Sequence, residues 1–126
     1  NRILEADEIL TQIRVPIPAS TVACGFEKLR IRKAIDFPLL NAAVLIERDA
    51  DGVVNKAELV VSALGPRPKL ISLKPKQLGK PLGDELIAEI AKKARSSCKP
   101  LTSIATEPEW RRDMVPVLVK RILKRL

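Results

Sequence analysis

The sequence contains no histidine and no tyrosine, and aromatic residues make up only 2% of it. The lack of histidine removes the commonest general base and metal ligand. The scarcity of aromatic rings disfavours a single-strand or RNA binder, because such proteins stack bases on aromatic side chains. The two cysteines, Cys24 and Cys98, cannot hold an iron–sulfur cluster or a four-ligand zinc ion. We expect both to be reduced core thiols of an intracellular protein, with a disulfide between them as the alternative.

Long hydrophobic runs and catalytic motifs are also missing. No apolar run approaches the roughly 18 residues that a membrane helix needs, and no signal-peptide pattern is present. The sequence has no nucleophile elbow, no Walker loop and no glycine-rich dinucleotide loop. We therefore predict no membrane span, no catalytic residue and no metal ligand, and a complete enzyme is not expected.

The chain has enough apolar residues for one folded domain and a strong excess of positive charge. Its 126 residues are 46% hydrophobic and carry a formal net charge of +8. Part of that charge lies in the proline-rich stretch Gly65–Gly83, which has five basic residues and no acidic one. This stretch is either a basic loop that meets an acidic partner or a solvated connector.

Four segments have the composition of β-strands. Alternation of apolar and polar residues predicts strands at Ile9–Val15, Val22–Lys33, Ala42–Arg48 and Val53–Leu64. The last two are expected to form a hairpin around Gly52, which can adopt a positive φ. Gly25 is a plausible site for a β-bulge in the second strand.

The second strand carries three cations at alternate positions. In an extended strand, Lys28, Arg30 and Arg32 share one face at intervals of about 7 Å. Either an anion is met there or the face is simply solvated.

Two helices follow the strands. An amphipathic helix is predicted at Asp84–Cys98. A second begins with a capping box between Thr106 and Glu109 and contains Pro116, which should kink or divide it. Its predicted apolar stripe is Trp110, Met114, Val117, Leu118 and Ile122. Strands grouped before helices indicate an α+β fold, with an antiparallel sheet of three to four strands followed by two to three helices packed on one face.

Several motifs, in a fixed order, resemble one family. Leu4–Pro16 is similar to the segment that opens the C-terminal domain of the FAD-binding medium subunit of molybdenum hydroxylases, the xanthine dehydrogenase and carbon monoxide dehydrogenase family. That family continues with a phenylalanine, a K-x-x-x-R motif, an aspartate and an apolar strand. The matching positions here are Phe26, Lys28, Arg32, Asp36 and Asn41–Ile46. The chain ends like the family too, with Glu109–Arg112 followed by an apolar helix. The stretches Asp36–Leu40 and Ser62–Ile71 resemble the 4-hydroxybenzoyl-CoA reductase branch more than xanthine dehydrogenase.

The resemblance implies that residues 1–126 are a single domain, the C-terminal part of a larger FAD-binding subunit with a carbon monoxide dehydrogenase flavoprotein C-terminal-domain-like fold. It implies FAD held mostly by domains outside this chain, and no independent activity. By resemblance, Lys28 reaches the flavin and Leu10 lies near it. Partner subunits, a molybdenum-binding large subunit and an iron–sulfur small subunit, would carry the molybdenum cofactor and the iron–sulfur clusters in the cytoplasm. The alternative left open by the charge is a basic module that binds nucleic acid or an acidic protein surface.

Overall fold

The computed structural model describes residues 3–103 and 106–126, and it contains one antiparallel sheet and two α-helices. The sequence between the two predicted helices, Lys99–Ala105, predicts a linker, and its last two positions, 104–105, lie outside the described residues, as do positions 1–2. The elements, in chain order, are β1 (Val22–Leu29), β2 (Leu40–Arg48), β3 (Val54–Ser62), β4 (Lys69–Ser72), a 3-10 turn (Pro75–Gln77), α1 (Asp84–Ser97) and α2 (Pro108–Leu123). The α+β prediction is confirmed.

The sheet is a meander in the order β1-β2-β3-β4, with every neighbouring pair antiparallel. The predicted hairpin joins β2 to β3, and Gly52 in its turn has a φ of 78°. The bulge predicted at Gly25 is wrong, because β1 pairs with β2 in unbroken register. The register shift lies instead between Glu47 and Arg48, where β2 pairs with β3.

Two strand predictions differ from the structure. Ile9–Val15 forms no strand and is exposed along its length. Alternation alone does not make a strand, because the backbone N–H and C=O groups must also pair with a neighbouring strand. This segment has no such neighbour in the described part of the chain. The fourth strand is β4, within the stretch predicted to be a connector; its prolines flank the strand, and Leu70 pairs with Val60 of β3.

The core lies between one face of the sheet and the helices. Leu40, Ala42, Val44 and Ile46 of β2 and Ala57, Leu59 and Val61 of β3 are all buried. The predicted amphipathic helix α1 adds a buried stripe of Leu86, Ile87, Ile90, Ala91 and Ala94. No helix in residues 3–103 or 106–126 has the length and apolarity to cross a bilayer.

Helix α2 differs from its prediction at the start and in its buried face. The helix begins after Glu107, with no side-chain cap, so the capping box at Thr106 is wrong. It also runs through Pro116 without being divided. The buried face is shifted by one position from the predicted stripe, because tertiary packing decides which flank of a broadly apolar helix is covered. That face consists of Arg111, Val115, Leu118, Val119, Ile122 and Leu123.

Two side-chain features bind α2 to the rest of the fold. A Cβ at Gly25 would lie 2.6 Å from Cγ2 of Ile122, so the glycine permits the close crossing of α2 over β1. Arg111 is buried and donates from Nη1 to the carbonyl of Ala63 at 3.2 Å and from Nη2 to the carbonyl of Leu101. Arg111 thereby links the helix to the β3–β4 connection and to the α1–α2 connection.

The two cysteines occupy different environments. Cys98 is buried in the core, as predicted, and burial raises the pKa of its thiol. Cys24 is exposed on β1, so its prediction as a core thiol is wrong. Both thiols are free, which leaves the disulfide alternative unformed.

Candidate functional site

The connection between β1 and β2 is organised by a single carboxylate. Oδ2 of Asp36 accepts hydrogen bonds from the backbone N–H groups of Ile31 at 3.2 Å and Arg32 at 3.0 Å. The guanidinium of Arg32 adds an ion pair to Oδ1 at 3.4 Å. The backbone hydrogen bond from Arg32, together with its charge, holds the pKa of Asp36 below its usual value. The connection is therefore a defined loop rather than a free one.

Lys28 is anchored to the same loop. Its Nζ donates to the backbone carbonyl of Asp36 at 2.6 Å, and the lysine is part-buried on β1. Within residues 3–103 and 106–126, no carboxylate lies within ion-pair distance of this ammonium. Lys28 thus keeps an unneutralised charge and further N–H groups for a ligand. The lysine, arginine and aspartate of the motif form one hydrogen-bonded unit.

The predicted row of three cations does not form. Strand β1 ends at Leu29, so Arg30 and Arg32 lie in the loop rather than on the strand face. Arg32 turns back to the loop, where it contacts the carbonyl of Ile35 and the carboxylate of Asp36. Only Lys28 remains as a cation on that face of β1.

Leu10 lies in the segment before the first strand. It is 62% exposed and lines a depression formed by its own neighbours, Ile3 to Leu10. That depression does not include Lys28, so the structure does not bring the two predicted site residues together in it.

The connection between β1 and β2 also carries exposed apolar side chains that the sequence prediction overlooked. Ile35 is 96% exposed and Phe37 is 91% exposed, on either side of Asp36. The sequence signal that could have identified them is the presence of apolar residues directly beside Asp36 in a segment between two strands. Their exposure gives the loop an apolar rim beside a positively charged group.

The face of the sheet that the helices leave uncovered is also apolar. Because side chains alternate along a strand, Cys24, Phe26 and Lys28 share this face, while Gly25 contacts Ile122 on the opposite face. An open depression of about 500 Å³ runs across the face. It is lined by residues of all four strands, among them Cys24, Phe26, Ala43, Leu45, Val60 and Leu70.

Much of the positive charge is used within the fold. Lys80 contacts Glu89 at 3.0 Å and Glu85 at 3.3 Å, and these hydrogen bonds, that from Glu89 foremost, raise the pKa of Lys80. Lys69 donates to the carbonyl of Ser97. Arg121 and Arg125 of the C-terminal segment both pair with Glu27 of β1. These contacts leave the basic stretch and the chain end partly neutralised.

Comparison with known proteins identifies relatives of the whole domain. Residues 25–126 match the family described as the CO dehydrogenase flavoprotein C-terminal domain. The caffeine dehydrogenase subunit beta of Pseudomonas sp. (strain CBB1) is 30% identical over 105 residues, which cover 82% of this chain and 34% of the relative. The carbon monoxide dehydrogenase medium chain of Hydrogenophaga pseudoflava is 27% identical, over 96% of this chain and 42% of the relative.

Solved structures show the same fold. A carbon monoxide dehydrogenase structure from Hydrogenophaga pseudoflava superposes with a TM-score of 0.76 at 25% identity, over 87% of this chain and 38% of that chain. Quinoline 2-oxidoreductase from Pseudomonas putida 86 also reaches a TM-score of 0.76, at 22% identity, with 88% of this chain and 38% of that chain covered. The chain thus spans well under half the length of these relatives. It belongs to the CO dehydrogenase flavoprotein C-terminal domain family.

Proposed function

We propose that this chain is the accessory C-terminal domain of an FAD-containing subunit of a molybdenum-dependent oxidoreductase, in which it caps part of the flavin site. The observation that carries this proposal is the family match over residues 25–126. In this proposal residues 1–126 are one domain of a longer subunit, and the domain has no independent activity. The relatives named above, which extend far beyond the aligned region, support it.

The residues around Lys28 suit one part of FAD. The Lys28 ammonium is a hydrogen-bond donor without a carboxylate partner among the described residues, which fits the flavin N1–C2=O edge, where negative charge develops on reduction. Exposed apolar side chains nearby can pack against a ring system. The sequence offers no glycine-rich loop for the pyrophosphate, so most of the cofactor would be held by the rest of the subunit.

When bound, FAD supplies the electron-accepting centre, and this chain contributes the groups that would lie beside one edge of the flavin. Asp36 fixes the loop, the loop carbonyl orients Lys28, and Lys28 holds a positive charge at a defined point on the surface. Leu10 is proposed to pack near the ring system once the rest of the subunit orders its segment around the cofactor. The partners in this proposal are a molybdenum-binding large subunit and an iron–sulfur small subunit, which carry the molybdenum cofactor and the iron–sulfur clusters.

The cellular location is part of the same proposal. Two free thiols, one of them exposed, suit a reducing compartment such as the cytoplasm. The nucleic-acid or acidic-protein alternative is not proposed, because neither the family match nor the relatives favour it, and several basic side chains already have acidic partners.

Replacement of Lys28 tests the proposed flavin contact. In the complete subunit, Lys28→Ala should make the flavin potential more negative by about 30 mV or more, which corresponds to roughly 1.4 kcal/mol for a two-electron couple. The reason is the loss of a cation that stabilises the reduced flavin. The measurement is a spectroelectrochemical titration, with the FAD content determined in parallel.

Lys33→Ala is the control, because it removes the same charge from the exposed loop that follows β1 without touching the Asp36 carbonyl. Unchanged potential and FAD content in the Lys28 variant would remove Lys28 from the site. A parent protein that lacks an additional segment of about 150 residues or more would argue against the flavoprotein assignment as a whole.

A further inference from the structure

The open face of the sheet carries an unbroken apolar band. Phe26, Ala43, Val60 and Leu70 are directly opposed across the four strands, so they form one row on this face. Cys24 and Leu45 extend the row on one side. We call these six residues the apolar band.

The apolar band is not covered by any part of the chain that the structure describes. Phe26 is 61% exposed and Leu70 is 60% exposed. An antiparallel sheet usually presents polar side chains on its solvated face, so an apolar row that crosses all four strands departs from that pattern. An apolar surface of this kind marks a place where another body packs.

Lys28 joins the apolar band to the proposed flavin contact. It stands two residues after Phe26 on β1, which places the two side chains on the same face about 7 Å apart. Its cross-strand partner is Asn41, so the row beside the apolar band is polar. A body that presents an anionic ring edge to Lys28 must therefore approach from the open face, and it would cover Phe26.

We propose that the apolar band is the docking surface for the flavin-holding part of the same subunit. This inference rests on the proposed function, because it takes Lys28 as the flavin contact. The relatives provide an occupant, since this chain corresponds to only 34% and 42% of two of them. The helices then face away from the flavin, and the sheet forms the inner wall of the site.

The chemistry of the apolar band favours this occupant over nucleic acid. The depression contains one ionisable carboxylate, Glu58, and no cation among its lining residues. Glu58 is paired with Lys56 at 3.4 Å. The apolar band itself therefore offers no cation to a phosphate backbone, and Lys28 beside it is a single charge where nucleic-acid binders use several. An apolar protein surface suits the band better.

Cys24 provides a direct probe of docking. Its exposed thiol lies within the apolar band, while the Cys98 thiol is buried in the core. In the complete subunit, we expect maleimide to modify Cys24 at least about tenfold more slowly than a free accessible thiol. Cys98 should react only after denaturation, and mass spectrometry distinguishes the two sites.

A pair of leucine variants tests the surface itself. Leu70→Asp places a charge in the apolar band and should increase the Cys24 labelling rate in the complete subunit at least about tenfold. Leu101→Asp is the control, because Leu101 is 58% exposed but lies in the connection between α1 and α2. Slow labelling of Cys98 in both variants shows that the domain remains folded.

The FAD content of the wild-type subunit separates the outcomes. The proposal is supported if the subunit contains FAD, if Cys24 is labelled slowly in the wild type, and if Leu70→Asp makes that labelling fast. Bound FAD with a freely reactive Cys24 rejects the docking surface and leaves the proposed function intact. Protection that appears only when partner subunits are added, or only at concentrations where the subunit dimerises, rejects this occupant. A subunit without FAD rejects both the occupant and the proposed function.

Discussion

Asp36 is the residue on which the position of Lys28 depends, and its ionisation gives a pH signature. Its pKa is lowered in the folded protein, so the stabilising contribution of the carboxylate is fully present above the unfolded value of about 3.9. That contribution is lost as the pH falls through the lower, folded-state pKa. The backbone N–H groups of Ile31 and Arg32 should therefore show a chemical-shift titration below pH 3.9.

The corresponding variant is Asp36→Asn, which keeps an acceptor oxygen but cannot titrate. We expect the acid-dependent shifts of Ile31 and Arg32 to disappear in this variant and to persist in Asp51→Asn, a change in the β2–β3 turn. Two-dimensional NMR of the labelled chain is the measurement. A wild-type titration at or above the ordinary aspartate pKa would show that the loop does not depend on this charge.

Arg111 should contribute more to the stability of the fold than its neighbour Arg112 does. Its guanidinium satisfies two backbone carbonyls, and one of them belongs to Ala63, which has the uncommon φ of 68°. Arg111→Ala should lower the free energy of unfolding by about 2 to 4 kcal/mol, because it removes a buried side chain and leaves two part-buried carbonyls without their charged donor. Arg112→Ala removes a weaker, more exposed ion pair to Glu109 and should cost less than about 1 kcal/mol. Urea unfolding compares the two, and equal losses would contradict the role of Arg111.

At the scale of elements, the crossing of α2 over β1 depends on Gly25. An added Cβ would meet Ile122 at 2.6 Å, so Gly25→Ala should destabilise the fold by about 1 to 3 kcal/mol through overpacking. Gly65→Ala is the control, because no atom lies within 4 Å of its added Cβ. Thermal unfolding followed by circular dichroism measures both. A Gly25 variant as stable as the control would mean that α2 shifts freely over the strand.

The elements that could be predicted are those whose pattern is local. The β2–β3 hairpin has its turn glycine between two alternating strands, and α1 has a strong apolar stripe. Strand β4 could not be predicted, since its short run is recognisable only beside Val60 of β3. Ile9–Val15 has the alternating pattern of a strand but no partner strand among the described residues. The buried flank of α2 likewise depends on where Gly25 lets the helix lie.

Three residues of the candidate site could be singled out from the sequence, but their geometry could not. The motif resemblance singled out Lys28, Arg32 and Asp36, and the structure joins them through hydrogen bonds. The path of the loop that brings the Asp36 carbonyl to Lys28 is irregular, and no periodicity describes it. The position of Leu10 relative to Lys28 stays a prediction of the proposed function, because its segment has no partner strand within residues 3–103 and 106–126.

At the scale of the whole molecule, the two sides of the sheet have different characters. The helix side is a closed core in which even Arg111 is buried. The opposite side presents the apolar band and Lys28 beside it. The helix side thus contains the core that stabilises the domain, and the open side is the surface that we propose for its contacts.

This asymmetry predicts how the isolated chain responds to FAD. In the proposed function, one ammonium and a few exposed apolar side chains would contact only an edge of the cofactor, whereas tight sites enclose most of a ligand. We expect no saturable binding of FAD to the 126-residue chain below about 1 mM, a limit that corresponds to roughly 4 kcal/mol of binding free energy. Flavin fluorescence anisotropy is the measurement, with the complete subunit as the control. Micromolar affinity in the isolated chain would mean that the domain holds far more of the cofactor than its edge.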